Sequence, residues 1–140
     1  MNKKDELVGS IAQSFYEIGR YINRHLSQDQ SLTPPQFFIL FNIFTCGKST
    51  VSSLGSKLGL TSGATTIAAN RLVESGLLSR IRDEEDRRVV WIDITDSGKN
   101  LMEEFNNRRN DLWGQVFADF KNEELIQFLE LLKKVNITKN

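Results

Sequence analysis

The two side chains best suited to covalent or metal chemistry, His25 and Cys46, are each the only residue of their type in the chain. A serine or cysteine nucleophile would have to use His25 as its only imidazole base, and a zinc site built from Cys and His would fall short of the usual tetrahedral set. The chain is therefore not expected to be an enzyme, nor to hold a metal or other cofactor. A lone cysteine also excludes an intrachain disulfide. As a redox sensor Cys46 would need a lowered thiol pKa, and Lys48 is the only basic residue near it in sequence. More informative are the hydrogen-bonding groups of one short stretch, Thr61, Ser62, Gly63, Thr66, Ile67, Asn70 and Arg71, followed by the charged run Asp83-Glu84-Glu85-Asp86-Arg87-Arg88. A solvated helix face normally carries Glu and Lys, yet from Ser62 onward the first acid is Glu74. Small hydroxyls, one amide and one arginine instead suit close approach to base edges and phosphates in a major groove.

The elements that must position these groups follow from local signals. Val51, Leu54 and Leu58 fall on one face of a short helix from about Thr50 to Leu58, and Gly59 suits a left-handed cap. Thr61 and Ser62 are good caps for a second helix running to Glu74, with Thr65, Ala68, Ala69 and Leu72 as its inward stripe and Ser75-Gly76 as its stop. Two short helices joined by a tight glycine-containing turn make a helix-turn-helix. Residues 77–82 and 89–94, the latter ending in the strand formers VVWIDI, then read as a β-hairpin around the charged run. That order is a winged helix. At the hairpin tip, Arg87 or Arg88 would reach a minor groove or phosphates, with Asp86 holding the neighbouring guanidinium. Four acids beside a DNA backbone would be unfavourable unless several are tied to arginines such as Arg80 or Arg82.

On either side lie helices. Leu7, Ile11, Phe15, Ile18, Ile22 and Leu26 recur every three or four positions over residues 5–26, an amphipathic pattern interrupted only by Gly19. A polar connector at 27–31 and the Thr33-Pro34-Pro35 opening lead to a helix over 34–45 that is apolar nearly all round, as a central buried helix should be. After the hairpin, Thr95-Asp96-Ser97 opens a long helix to about residue 119, and a last one covers 122–135. So much apolar surface at both ends exceeds what one winged helix can cover and points to burial against a second copy. Phe15, Tyr16, Phe37, Phe41 and Trp113 are either core or the lining of a cavity for a small aromatic ligand.

The composition is that of an ordinary globular protein, 39% hydrophobic and 26% charged, with formal net charge zero. The charge is unevenly spread, since residues 48–90 carry seven Lys and Arg against five Asp and Glu. The excess is compatible with a phosphate-binding face without establishing one. The N-terminal sequence lacks the apolar run of a signal peptide, and no stretch approaches a membrane span, so a cytoplasmic location is the expectation.

Residues 50–98, TVSSLGSKLGLTSGATTIAANRLVESGLLSRIRDEEDRRVVWIDITDSG, resemble the core of the MarR-type transcriptional regulators, most specifically in Asp83, Asp86-Arg87-Arg88 and the closing Thr95-Asp96-Ser97-Gly98. The resemblance implies a mainly α fold with a small β-hairpin wing (α+β), forming one domain over 1–140. Within it, residues 34–95 would form the winged helix-turn-helix and residues 5–26 and 97–136 the dimerisation helices. It implies a homodimeric, sequence-specific DNA-binding regulator, a repressor that binds a pseudo-palindromic operator in double-stranded DNA and is released by a small ligand. The helix beginning at Ser62 would enter the major groove and Arg88 the minor groove, with Asp86 bracing it. Ile67 departs from the family's usual polar residue and either meets thymine methyls or turns inward. Cys46 does not match the reactive cysteine of peroxide-sensing members, and lone His25 cannot supply the zinc-sensing ligands. A winged-helix protein-interaction module without DNA binding is the alternative that the neutral charge and acidic hairpin tip suggest.

Overall fold

A computed structural model describes residues 1–27 and 32–135; most of the polar connector at 27–31 and residue 136 lie outside the described residues. Helix α1 covers Lys3–Ser27, α2 Pro34–Cys46, α3 Val51–Leu58 and α4 Ser62–Glu74, followed by strands β1 (Leu78–Arg82) and β2 (Val90–Ile94) and helices α5 (Asp96–Val116) and α6 (Asn122–Leu132). The expected class, mainly helical with one small hairpin, is the one observed. Helix α1 begins earlier than its apolar stripe because the Asn2 side chain accepts the Asp5 amide at 2.9 Å and satisfies an otherwise open donor of the first turn. Gly19 has no packing reason on the chain itself, since nothing lies within 4 Å of where a Cβ would stand.

The caps explain the other boundaries. Thr33 and Gln36 form a reciprocal capping box at the start of α2, and Gly47, at φ 90°, ends that helix. Thr50 and Thr61 cap α3 and α4 through the amides of Ser53 and Ala64. Between those two helices Gly59 takes the left-handed conformation at φ 66°, and the Leu60 amide returns to the Gly55 carbonyl at 3.0 Å. A Cβ on Gly55 would stand 3.1 Å from Thr65 Oγ1, so this glycine lets α3 close against α4. Helix α5, expected to reach residue 119, ends at Val116. The chain turns there because Phe117, Phe120 and Phe128 collect into an edge-to-face ring cluster, with centroids 5.2 to 6.2 Å apart, that folds α6 back. Helix α6, expected to reach residue 135, ends at Leu132, and the amides of Lys134 and Val135 bond three residues back in a tighter turn.

Two cores result. Ile39, Leu40 and Ile43 of α2 lie at the centre of the first, with Leu54, Ala68, Leu72, Leu78, Ile92 and Met102 around them. This accounts for the apolar composition of α2, although Phe38 remains exposed. Ile22, Leu26 and Phe105 form the second core, where α1 crosses α5.

β1 and β2 pair antiparallel, Leu78 opposite Ile94 and Arg82 opposite Val90. A third partner, not evident in the sequence, is Ser49, which exchanges both backbone hydrogen bonds with Ile92 at 3.0 and 2.7 Å just before α3 begins. The base of the hairpin is closed by Thr95. Its hydroxyl donates to the Gly76 carbonyl at 2.6 Å and accepts the Gly98 amide at 3.1 Å, while its own amide donates to the Leu77 carbonyl at 3.1 Å. Gly98 is pressed against this closure. An added Cβ would run into the Leu77 carbonyl oxygen and stand 2.7 Å from Ile94 Cγ1. Gly98→Ala is therefore expected to cost roughly 1–3 kcal/mol of stability, the range for overpacking a tight site. Urea unfolding followed by circular dichroism checks it, and an unchanged midpoint would contradict the close approach.

Candidate nucleic-acid interface

Helix α4 presents two polar strips because residues four apart stack on one face. Thr65, Ala68, Ala69 and Leu72 are buried as the inward stripe, leaving Ser62, Gly63, Thr66, Ile67 and Arg71 exposed and Asn70 half-buried. Ile67 resolves one alternative: it points outward and is 58% exposed. Thr61 is occupied as the N-cap, with its Oγ1 accepting the Ala64 amide at 3.1 Å. The Thr66 hydroxyl donates to the Ser62 carbonyl at 2.9 Å, which leaves its oxygen to accept and its methyl to make apolar contact. The face is thus small, weakly polar and uncharged until Arg71.

Asp83 and Asp86 organise the hairpin tip. Asp83 Oδ1 accepts the amides of Glu85 and Asp86 at 2.8 and 3.0 Å, an Asx-type turn, and its Oδ2 accepts the Trp91 indole N–H at 2.8 Å. Two backbone hydrogen bonds, Asp83 N–H to Val89 O and Val89 N–H to Asp86 O, both 3.0 Å, close the turn. Asp86 then takes Arg88 in a fork: Oδ1 accepts Nε at 3.1 Å and the Arg88 amide at 3.1 Å, and Oδ2 accepts Nη2 at 3.3 Å. These are the two residues that the sequence reading paired. The Arg88 side chain is 91% exposed and that of Asp86 45%, so the pair orders the guanidinium without burying it. Arg87 is exposed beside it.

The other acids are not tied to Arg80 or Arg82. Arg80 donates through Nη2 to the Asn70 side-chain oxygen on α4, and Arg82 donates through Nη1 to the Arg87 carbonyl at 3.1 Å. Backbone amides and an indole satisfy Asp83 instead, because the turn brings those donors closer than any guanidinium. For three residues of the hairpin region, the sequence did not indicate the partners that the structure shows. Arg80 and Arg82 share strand parity with Leu78, which could have placed them on one side of the hairpin. The third, Lys48, lies with its Nζ 5.1 Å from the centroid of the Trp91 ring, a cation–π contact between the end of α2 and the hairpin. Nothing in local sequence signals it.

The five aromatics proposed as a ligand site do not gather in one place. Phe37 stacks on Phe41 with centroids 5.7 Å apart and meets Phe105 at 4.7 Å, within the second core region. Phe15 lines a separate apolar groove with Leu7, Ile11, Ile18 and Phe128. Tyr16 lies exposed under Arg20, and Trp113 stacks on Phe117. The sequence placed Phe15 and Tyr16 with α2 on the strength of aromatic type alone. α1 instead meets the rest of the chain through Ile18, Ile22 and Leu26.

The carboxylates of the tip titrate below their usual range, Asp83 chiefly because of the Trp91 indole and two backbone amides and Asp86 chiefly because of Arg88. A group with a depressed folded pKa contributes its stabilisation above the unfolded value, 3.8 here, and loses it as pH falls through the lower folded value. The hairpin tip is therefore expected to stay ordered down to about pH 4 and to loosen below it. Trp91 fluorescence in a Trp113→Phe background reports this; in Asp83→Asn the acid transition of the indole should disappear, and its persistence would show that Asp83 does not hold the ring.

Comparison with known proteins agrees with this geometry. Residues 32–90 match the model of the MarR family. Over 137 residues the chain is 30% identical to YsmB of Bacillus subtilis, described as an uncharacterised HTH-type transcriptional regulator, with 96% of this chain and 94% of that protein covered. It is 26% identical to the B. subtilis HTH-type transcriptional repressor MdtR, over 96% of this chain and 89% of that one. The crystal structure of YusO from B. subtilis superimposes with a TM-score of 0.80 at 26% identity, covering 95% and 96% of the two chains. No helix among the described residues is long and apolar enough to cross a membrane. With the helix-turn-helix, the braced wing and the flanking helices all in place, the chain belongs to the MarR family of winged-helix, DNA-binding transcriptional regulators, which are not enzymes.

Proposed function

We propose that this protein is a cytoplasmic, homodimeric repressor that binds a pseudo-palindromic operator, with α4 in the major groove and Arg88 in the adjoining minor groove. The single observation that carries the reading is the wing tip, where Asp86 orders an otherwise solvent-exposed Arg88 on the hairpin next to an α4 face of small polar groups. An arginine already fixed in orientation loses less side-chain freedom on entering a groove, and a narrow A·T-rich minor groove attracts it. Of the α4 residues, Ile67 and the Thr66 methyl suit thymine methyl contacts, Arg71 suits guanine or phosphate, and Ser62 and Gly63 allow close approach to the backbone. Repression follows the description of MdtR.

The dimer reading rests on the terminal helices, which together with residues 34–95 make up the proposed division of labour. Leu7, Val8, Ile11 and Phe15 of α1 and Ile126, Leu129 and Leu131 of α6 are all exposed, and α6 has no buried residue. An apolar surface of this extent on two neighbouring helices is the pattern of an obligate interface. Release by a small aromatic ligand completes the proposal. For its place the support is a groove of about 400 Å³ lined by Asn23, Leu26, Leu32, Pro34, Phe37, Phe38 and Phe105, within the size range of small-molecule sites.

Three measurements test this. With a duplex enriched by the wild-type protein from a randomised pool, Arg88→Ala should weaken binding about tenfold to a hundredfold. Unchanged affinity would remove the wing from the mechanism. Light scattering should give twice the chain mass, and Ile11→Lys with Leu129→Lys should yield a monomer; a monomeric wild type would overturn the dimer. Thermal shift with phenolic compounds, read alongside DNA release, tests the ligand, and Phe37→Ala should abolish any shift.

A further inference from the structure

The hydrogen bond between Arg80 and Asn70 joins the recognition helix to the wing, and its chemistry constrains what each side chain can do. A guanidinium has donors only, so the Asn70 atom facing Arg80 must be its amide oxygen. An asparagine that reads adenine uses that oxygen and its amide nitrogen together, one accepting from the base and one donating to it. With one acceptor position of that oxygen taken by Arg80, the Asn70 amide is held toward the hairpin and is not set for that bidentate pair. The half-burial of Asn70, on a helix whose neighbouring Thr66, Ile67 and Arg71 are exposed, agrees with a role toward the hairpin rather than toward solvent.

Arg80 gains what Asn70 gives up. It lies on the first wing strand, opposite the buried Ile92, on the strand face that begins with the buried Leu78 against α4. Its guanidinium thus stands in the crevice between α4 and the hairpin while remaining exposed. A helix in a major groove and a hairpin in the next minor groove necessarily straddle the sugar–phosphate strand that separates them. A cation in the crevice faces that strand.

We propose that Asn70 is a positioning residue whose side-chain oxygen fixes Arg80 between α4 and the wing, so that the remaining N–H groups of the Arg80 guanidinium meet the phosphate backbone dividing the two grooves. The bond also ties the angle of the wing to that of the recognition helix, so both grooves are engaged in one register. This assignment rests on the DNA-binding mode given above and changes one part of it, moving Asn70 from base reading to backbone placement.

Binding of the wild type, Asn70→Ala, Arg80→Ala and the double variant is measured by fluorescence anisotropy across a salt series. The probes are the duplex enriched by the wild-type protein, single-base-pair variants of it, and a random-sequence duplex. Arg80→Ala should weaken all duplexes by a similar factor and reduce the slope of log affinity against log salt by about two, the signature of one lost phosphate contact in each half of the dimer. Asn70→Ala should do the same in part, keep the base preferences of the wild type, and add nothing in the double variant. Relaxed preference at one base pair in Asn70→Ala, or additive losses in the double variant, would overturn the proposal. In the free protein the Arg80 Nε–H resonance should move on Asn70→Ala, and an unmoved resonance would overturn it without DNA. Wild-type protein that binds no duplex yet shows the moved resonance would defeat the groove-binding mode and its phosphate contact while leaving the Asn70–Arg80 link standing.

Discussion

The orientation of the wing relative to everything after it depends on a few atoms around the Leu77 carbonyl. Leu77 leads into β1 and Thr95 follows β2, so the hydrogen bonds from Thr95 to Gly76 and Leu77 close the hairpin where it leaves the body of the protein. The same threonine caps α5 through the Gly98 amide, and Gly98 has no side chain because that carbonyl occupies the space. One residue therefore fixes both the root of the wing and the first turn of the long helix that leads to α6. A helix launched from a rigid corner transmits its direction over its whole length, about 1.5 Å per residue. The spacing of two wings in a dimer would be set at this corner more than at the wings themselves.

The electrostatics of a neutral DNA-binding protein become intelligible at the hairpin. Four acids beside a phosphate backbone would oppose binding if all faced it. Asp86 is offset by Arg88, whereas Asp83 is turned into the loop by two amides and an indole, which hold its carboxylate without cancelling the charge. These two acids serve as internal acceptors that shape a loop, and the arginine that Asp86 orders carries an outward charge. Glu84 and Glu85 remain exposed at the tip. Their repulsion disfavours an anion at the extreme tip, and the exposed Arg80, Arg82, Arg87 and Arg88 nearby offset it.

Most of the fold was readable in the sequence, for reasons that are local. Helical periodicity, the Thr33, Thr50, Thr61 and Thr95 caps, Gly59 and the strand-forming VVWIDI run all act within a few residues, and each boundary they imply lies within a few residues of the observed one. The errors lie where the deciding partner is distant. Ser49 is a single residue paired with Ile92 across the chain, Lys48 meets Trp91 from another element, and Arg80 chose an amide on α4 over the nearer acids. α5 ends early because Phe117 and Phe120 gather on a single ring of α6, Phe128, which no reading of α5 alone could show. The aromatic residues grouped as a ligand site were grouped by type, and type does not say which core a ring joins.

The arrangement of α1 has a consequence for how the chain is made. The first core draws on residues 39 to 102, one contiguous stretch, whereas the second joins Ile22 and Leu26 to Phe105 across most of the sequence. During synthesis the DNA-reading unit can pack as soon as its own residues have left the ribosome. The α1 side of the second core meets Phe37 of α2 first and Phe105 of α5 only much later in the chain. Ile22 and Leu26 therefore stay incompletely covered until α5 has been made, and closing their core spans a longer stretch of chain than the first core does, so the α1–α5 packing is completed after the DNA-reading unit.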